Sequence, residues 1–158
     1  MPQTIHQSPA PELLSILSEV APGRALDLAC GSGRHSLWLI ERGWDVTAVD
    51  IAIGDIPGAH CIRADLERHE YRIEPDEWDL IVCWLYWQPD LLPGIARGVR
   101  TCGIAALAGK TTGRFATSLD RYREAFEGWA ELASGAGSAD GAGEKAFFIG
   151  MRLEEAID

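Results

Sequence analysis

ALDLACGSGRHSLWLIERGWDVTAVD, residues 25–50, decides the fold. It opens with a short apolar run, "ALDLAC" (25–30), which reads as a buried strand. A glycine-containing turn, Gly31-Ser32-Gly33, follows. Arg34 to Arg42 then reads as a helix with Leu37 and Ile40 inward and Gly43 as its C-terminal cap. "DVTAVD" (45–50) is a second strand. Strand, glycine turn, helix and strand in so short a space make a parallel unit, because the return strand must run beside the first.

The same alternation continues on both sides. Upstream, Pro11 opens a helix to about residue 21, with Leu13, Ile16, Leu17 and Val20 at helical spacing, and Ala21-Pro22-Gly23 stops it. Downstream, "AHCIRAD" (59–65) and "WDLIVCW" (78–84) read as strands, Pro89 to Arg100 as a helix, and "GIAALAG" (103–109) as a strand. Ser118 caps a helix through Glu127 that carries Leu119, Tyr122 and Phe126 on one face. "WAELAS" (129–134) and "KAFFIGMRL" (145–153) are the last strands, joined by the low-complexity "GAGSADGAG" (135–143), read as a flexible hairpin loop. Near-continuous apolar strands indicate a sheet covered on both faces. The expectation is an α/β protein with a doubly wound, seven-stranded, mostly parallel sheet ending in an antiparallel hairpin.

The chain has 158 residues, enough for a single domain spanning 1–158. Within it, 25–109 forms the core and 110–158 a further helix and the hairpin. With 47% hydrophobic and 24% charged residues the composition is that of a globular protein. No apolar run approaches the roughly 20 residues that span a bilayer, so no membrane partner is expected. MPQTIHQSPA lacks the basic head and apolar middle of a signal peptide, which places the chain in the cytoplasm. A net charge of −10 argues against a nucleic-acid partner. Cys30, Cys61, Cys83 and Cys102 have no paired spacing and read as buried, reduced thiols; His6, His60 and His69 share no metal-binding spacing, so no metal is expected.

In such sheets ligands sit beyond the carboxyl ends of the strands, where the winding reverses. Asp27 to Gly33, Asp50, Asp65 and Trp84 to Pro89 all fall at such ends. Gly31-Ser32-Gly33 resembles the start of a dinucleotide turn, and Asp50 lies where a ribose-binding acid belongs, but Ser36 takes the place of the third glycine. Asp27 is the discriminating residue. An ionised carboxylate there repels a pyrophosphate and favours a ligand bearing an ammonium and a sulfonium. S-adenosylmethionine has both. The alternatives are structural: Asp27 bonding strand-end amides, Asp50 capping a turn, Asp65 capping the turn before Glu70.

Residues 25–50 resemble the first two motifs of class I S-adenosylmethionine-dependent methyltransferases, within which they are similar to the small tellurite- and thiopurine-type enzymes. The likeness weakens to about Leu107. It implies a Rossmann-like fold, S-adenosyl-L-methionine as cofactor and a small-molecule methyl acceptor. By that resemblance Asp27 lies near the ligand's amino group, and Ala29, Cys30, Gly31 and Gly33 form its turn. Asp50, with Ile51 beside it, holds the ribose. Asp65 and Leu66 meet the adenine, and Cys83 and Trp84 stand beside the reacting methyl.

Methyl transfer is an in-line displacement, so the protein's main task is alignment. A base is required only if the acceptor holds its proton at neutral pH. Trp84, Tyr86 and Trp87 precede Gln88-Pro89-Asp90; aromatic rings here either wall a pocket or pack the core. Tyr86 and Asp90 are the polar candidates for catalysis. His35 faces the substrate side or makes a structural hydrogen bond. Arg114 in "KTTGR" binds an anionic substrate or is a solvated loop residue.

One departure stands out. Only "IAIGDIPG" (51–58) joins strands two and three, where a parallel crossover takes about a dozen residues or more. The helix the family places there must be lost or reduced to a turn. Weak cofactor binding, cover by a second subunit in a homodimer, or a non-catalytic binding or assembly module each follow from that loss.

Overall fold

The computed structural model describes residues 8–141 and 143–154. Its seven-stranded sheet has the order β3-β2-β1-β4-β5-β7-β6. The strands are β1 Arg24–Leu28, β2 Asp45–Asp50, β3 His60–Arg63, β4 Trp78–Trp84, β5 Val99–Lys110, β6 Ala130–Ser138 and β7 Glu144–Met151. Strands β1 to β5 pair in parallel, and β7 inserts antiparallel between β5 and β6. The expected mostly parallel sheet with an antiparallel hairpin is therefore present. Winding reverses between β1 and β4, and the crevice beyond their carboxyl ends is the natural ligand position.

Strand alternation divides the core. Leu26, Leu28, Ile81, Cys83, Ala105 and Leu107 face the side covered by α3 (Leu92–Gly98) and α4 (Leu119–Ala125). Ala25, Leu80, Val82, Ile104 and Ala106 face the other side, with Leu13 and Leu17 of α1 (Pro11–Leu17) and Leu39 of α2 (Arg34–Glu41).

Several boundaries differ from the sequence reading. Helix α1 stops at Leu17, short of Val20. Helix α2 turns His35, Ser36 and Leu39 inward, while Leu37 and Ile40 are only half-buried, because Ser36 is drawn to Asp27 on β1. Gly43 does end α2 at φ +93°, its N–H donating to the Ile40 carbonyl at 3.0 Å. Pro89–Leu91 is a single 3₁₀ turn before α3, and Val99 already belongs to β5, where Cys102 at φ +68° marks an irregular register against β4. Ser118 sits at the N-cap of α4, but its side chain makes no cap bond.

Residues 135–138 are strand rather than flexible loop. Gly135 pairs with Phe147 and Gly137 with Lys145. A Cβ on Gly137 would stand 3.0 Å from Glu12 Oε1, so its smallness leaves room for a buried ion pair. Only the tip, near Ala139–Gly143, turns; residue 142 lies outside the described residues. The thiols also diverge from expectation. Cys83 is buried and Cys30 half-buried, but Cys61 is exposed on the edge strand β3 and Cys102 at the irregular start of β5.

The short crossover contains no helix. Ile56 is its one buried residue, 3% exposed and packed on Gly33, while every residue of β3 is exposed. Among the described residues no helix is long and apolar enough to cross a membrane, and no cluster of three His, Cys, Asp or Glu side chains is placed to hold a metal. His6 lies outside the described residues.

Candidate functional site

Four hollows follow one another along the carboxyl ends of β1, β2, β4 and β5. The first, about 190 Å³, is lined by Asp27, Cys30, Gly31, Arg34, Trp84 and Asp140, among others. The second, about 330 Å³, is lined by Asp50, Ile51, Asp65, Leu66 and Glu67. Ala29 and Leu85 border both, at the switch point. Leu85 and Tyr86 also border a third hollow of about 400 Å³, walled by Trp87, Lys110, Arg114 and Phe115. A fourth, more open hollow beyond it holds His69, Gln88 and Asp90.

Asp27 is 2% exposed and accepts a hydrogen bond from Ser36 Oγ at 2.7 Å. Burial pushes its pKa up to about 7, against the lowering pull of Ser36 and Arg34; Asp50 adds a small push upward. Without a ligand the carboxyl is thus poised between acid and carboxylate at neutral pH. A cation placed against it would fix the charged form.

The two glycines serve different ends. Gly31 has φ +58° and a Cβ there would meet nothing within 4 Å, so its backbone borders open space. Gly33 has φ +88°, and a Cβ would fall 2.6 Å from Ile56 Cδ1. Gly31 leaves room for a ligand; Gly33 leaves room for the crossover. This cradle, with acids at both ends, fits a cationic nucleoside.

Asp50 does part of what the structural alternative required. Its Oδ2 accepts from Gly31 N–H at 3.0 Å and its Oδ1 from Ala52 N–H at 2.9 Å. The carboxylate therefore shapes the turn while facing the second hollow. Asp65 Oδ1 accepts from Glu67 N–H at 3.0 Å, and Asp65 N–H donates to Glu70 at 2.8 Å. Leu66, buried, floors the same hollow.

Trp84 and Cys83 point to opposite faces of β4. Trp84 lines the first hollow, edge-on to His35 at 6.1 Å. Cys83 is buried under α3 and α4, lines none of the four hollows, and its burial raises its pKa to about 12. His35 Nε2 accepts from Ala10 N–H at 3.1 Å, the structural bond of the two alternatives, and burial lowers its pKa to about 3.

Tyr86 stands at the junction of the second and third hollows. Its hydroxyl donates to Gln88 Oε1 at 2.6 Å, and Gln88 Nε2 donates to the Leu66 carbonyl at 3.0 Å and to Asp90 at 3.2 Å. Burial, with Glu67 nearby, raises the phenol to about 12, so it stays protonated at neutral pH. Asp90 lies in the fourth hollow, 3.8 Å from His69, and reaches Tyr86 only through Gln88. Gln88, 9% exposed, is the connector that sequence reading passed over. So too is Asp140, which grips Arg34 with two bonds of 3.1 and 2.8 Å and brings the hairpin tip onto the first hollow.

Residues 5–70 match the family described as tellurite resistance protein TehB. The malonyl-[acyl-carrier protein] O-methyltransferase of Salmonella typhimurium is 31% identical over 134 residues, covering 78% of this chain and 52% of that protein. The chain thus spans about half the length of that curated relative. The crystal structure of TehB from Haemophilus influenzae superposes with a TM-score of 0.73 at 18% identity, over 96% of this chain and 63% of that one. The Burkholderia thailandensis 1,6-didemethyltoxoflavin-N1-methyltransferase, solved with 1,6-didemethyltoxoflavin and S-adenosylhomocysteine, gives 0.65 at 18%, over 90% and 76%.

Proposed function

We propose that this chain, which has the class I S-adenosylmethionine-dependent methyltransferase fold and is related to TehB over residues 5–70, binds S-adenosylmethionine and transfers its methyl group to a small molecule. The observation that carries this reading is the continuity of the hollows. Two acid-lined chambers meet at Ala29 and Leu85, and a third chamber opens across Leu85 and Tyr86.

In this reading the first hollow takes the methionine end. Asp27 meets the ammonium and Gly31 lets the chain lie on the backbone. The second takes the nucleoside, with Asp50 on the ribose and Asp65 and Leu66 at the adenine. The sulfonium then lies near Leu85, facing the third hollow, where the acceptor sits in line. S-adenosylmethionine supplies the methyl group and its own leaving group. The chain's residues align the partners and exclude water. Tyr86, protonated and held by Gln88, orients the acceptor rather than removing its proton. Asp90 acts through Gln88 as a positioning residue.

Titration calorimetry with S-adenosylmethionine and S-adenosylhomocysteine tests the reading. Both should bind, and Asp50→Ala should weaken each by roughly 1–3 kcal/mol by removing a charged acceptor. Full affinity in that variant would remove Asp50 from the ribose.

A second reading, a non-catalytic binding or assembly module, draws on Asp50, whose two oxygens already serve Gly31 and Ala52, and on the bare strand β3. Absence of binding by both nucleosides would select it.

A further inference from the structure

We infer that the acceptor is a small aromatic carboxylate whose carboxylate is anchored in the third hollow by Lys110 and by Arg114, the latter at the border with the open fourth hollow. This rests on the methyl-transfer reading and extends it to the substrate.

Charge changes sign along the crevice. The chain carries a net −10, and the first two hollows present Asp27, Asp50, Asp65 and Glu67. The third presents two cations, Lys110 and Arg114, against the single acid Glu67 that it shares with the second. Among the described residues neither cation makes a salt bridge, so neither charge is already taken by a carboxylate of the chain. Two unpaired cations beside a hollow in so acidic a chain attract an anion.

The walls specify the rest of the ligand. Tyr86, Trp87 and Phe115 line the hollow, and Phe115 is 59% exposed. An exposed phenylalanine beside two other rings gains nothing from water and would bury its face on a flat ligand. The segment that bears it is pinned at its neck: Thr117 N–H donates to the Lys110 carbonyl at 2.8 Å, and Thr111 N–H to the Glu144 carbonyl at 3.0 Å. Arg114 packs over Phe115, 5.4 Å from ring centre, so ring and guanidinium are presented together.

Position gives the orientation. Arg114 and Phe115 border both the third hollow and the open fourth one, while Leu85 and Tyr86 border the cofactor side. The carboxylate therefore lies outward and the accepting heteroatom inward, toward Tyr86.

Benzoate and its uncharged analogue benzamide are titrated into the full chain, with and without S-adenosylhomocysteine. Benzoate should bind roughly five-fold tighter or more, and added salt should erode the difference. The double variant Lys110→Gln with Arg114→Gln should lose the preference while still binding benzamide and S-adenosylhomocysteine. Equal affinity for the two probes, no binding of either, or a preference that survives in the double variant would overturn the inference. Failure of S-adenosylhomocysteine to bind, with the benzoate preference intact, strikes the cofactor reading instead.

Discussion

Ser36 Oγ lies 2.7 Å from Asp27 Oδ2, joining the first turn of α2 to the end of β1 beneath the glycine turn. The residue that stands in place of a dinucleotide motif's third glycine is thus the partner of the acid that disfavours a pyrophosphate. Burial holds that acid near pKa 7.

A cationic ligand against Asp27 should therefore expel a proton. At pH 6 much of the unliganded carboxyl is protonated, and an ammonium beside it restores an ordinary carboxylate. Calorimetry at pH 6 in buffers of different ionisation enthalpy should give binding heats that vary with the buffer in the intact chain and much less in Asp27→Asn. Heats independent of buffer at pH 6 would detach Asp27 from the ligand's charge.

Asp27 and His35 set opposing pH dependences of stability. The Asp27 pKa is raised from 3.8 to about 7, so its contribution is full below pH 3.8 and is lost as pH rises through 7. The His35 pKa is lowered from 6.5 to about 3, so its contribution is full above pH 6.5 and is lost as pH falls toward 3. Each slope approaches about 1.4 kcal/mol per pH unit within its window. Between pH 4 and 6.5 they oppose each other. Denaturant unfolding of Asp27→Asn should show stability falling on acidification across that range, and His35→Gln should show it rising. Parallel profiles for the two variants would contradict the assignment.

Gly31 and Gly33 should separate by phenotype. Gly33→Ala places a methyl on Ile56 at an unfavourable φ and should cost roughly 1–3 kcal/mol of stability. Gly31→Ala meets no atom, so only its φ of +58° opposes it, at roughly 1 kcal/mol, but its methyl enters the ligand's space. It should lose nucleoside affinity well beyond its loss of stability. Melting curves and calorimetry on both variants decide the matter; unaltered affinity in Gly31→Ala would mean the ligand does not lie on that turn.

Glu12 and Lys145 form a pair at 3.0 Å, with the lysine 3% exposed. Removing the acid alone strands a buried charge, so Glu12→Ala should cost roughly 3–5 kcal/mol. Adding Lys145→Met should recover much of that loss. A double variant no more stable than Glu12→Ala would show that the pair is not what holds α1 to the hairpin.

The succession of strands along the chain and the acids at their ends were legible because apolar runs and turn residues depend on local chemistry. Asp27, Gly31, Asp50 and Asp65 all fall at strand ends for that reason. What was not legible depends on contacts distant in sequence. Gly135 to Ser138 looks like linker until Phe147 and Lys145 lie opposite it. Cys83 and Trp84 are neighbours in sequence but face opposite sides of the sheet, which only register determines. Gln88 becomes a connector because the Leu66 carbonyl, 22 residues earlier, comes within its reach. The lost crossover helix was legible as a length, but the burial of Ile56 on Gly33 was not.

Strand β7 lies between β5 and β6, although both precede it in the chain. During synthesis on the ribosome, the hollow lined by Asp50 and Asp65 can therefore be complete while β5 still presents an apolar, unpaired edge. Asp140 and its hold on Arg34 arrive only with the hairpin. A nascent chain halted between residues 110 and 144 would carry most of the pocket and an open strand able to capture a neighbouring chain.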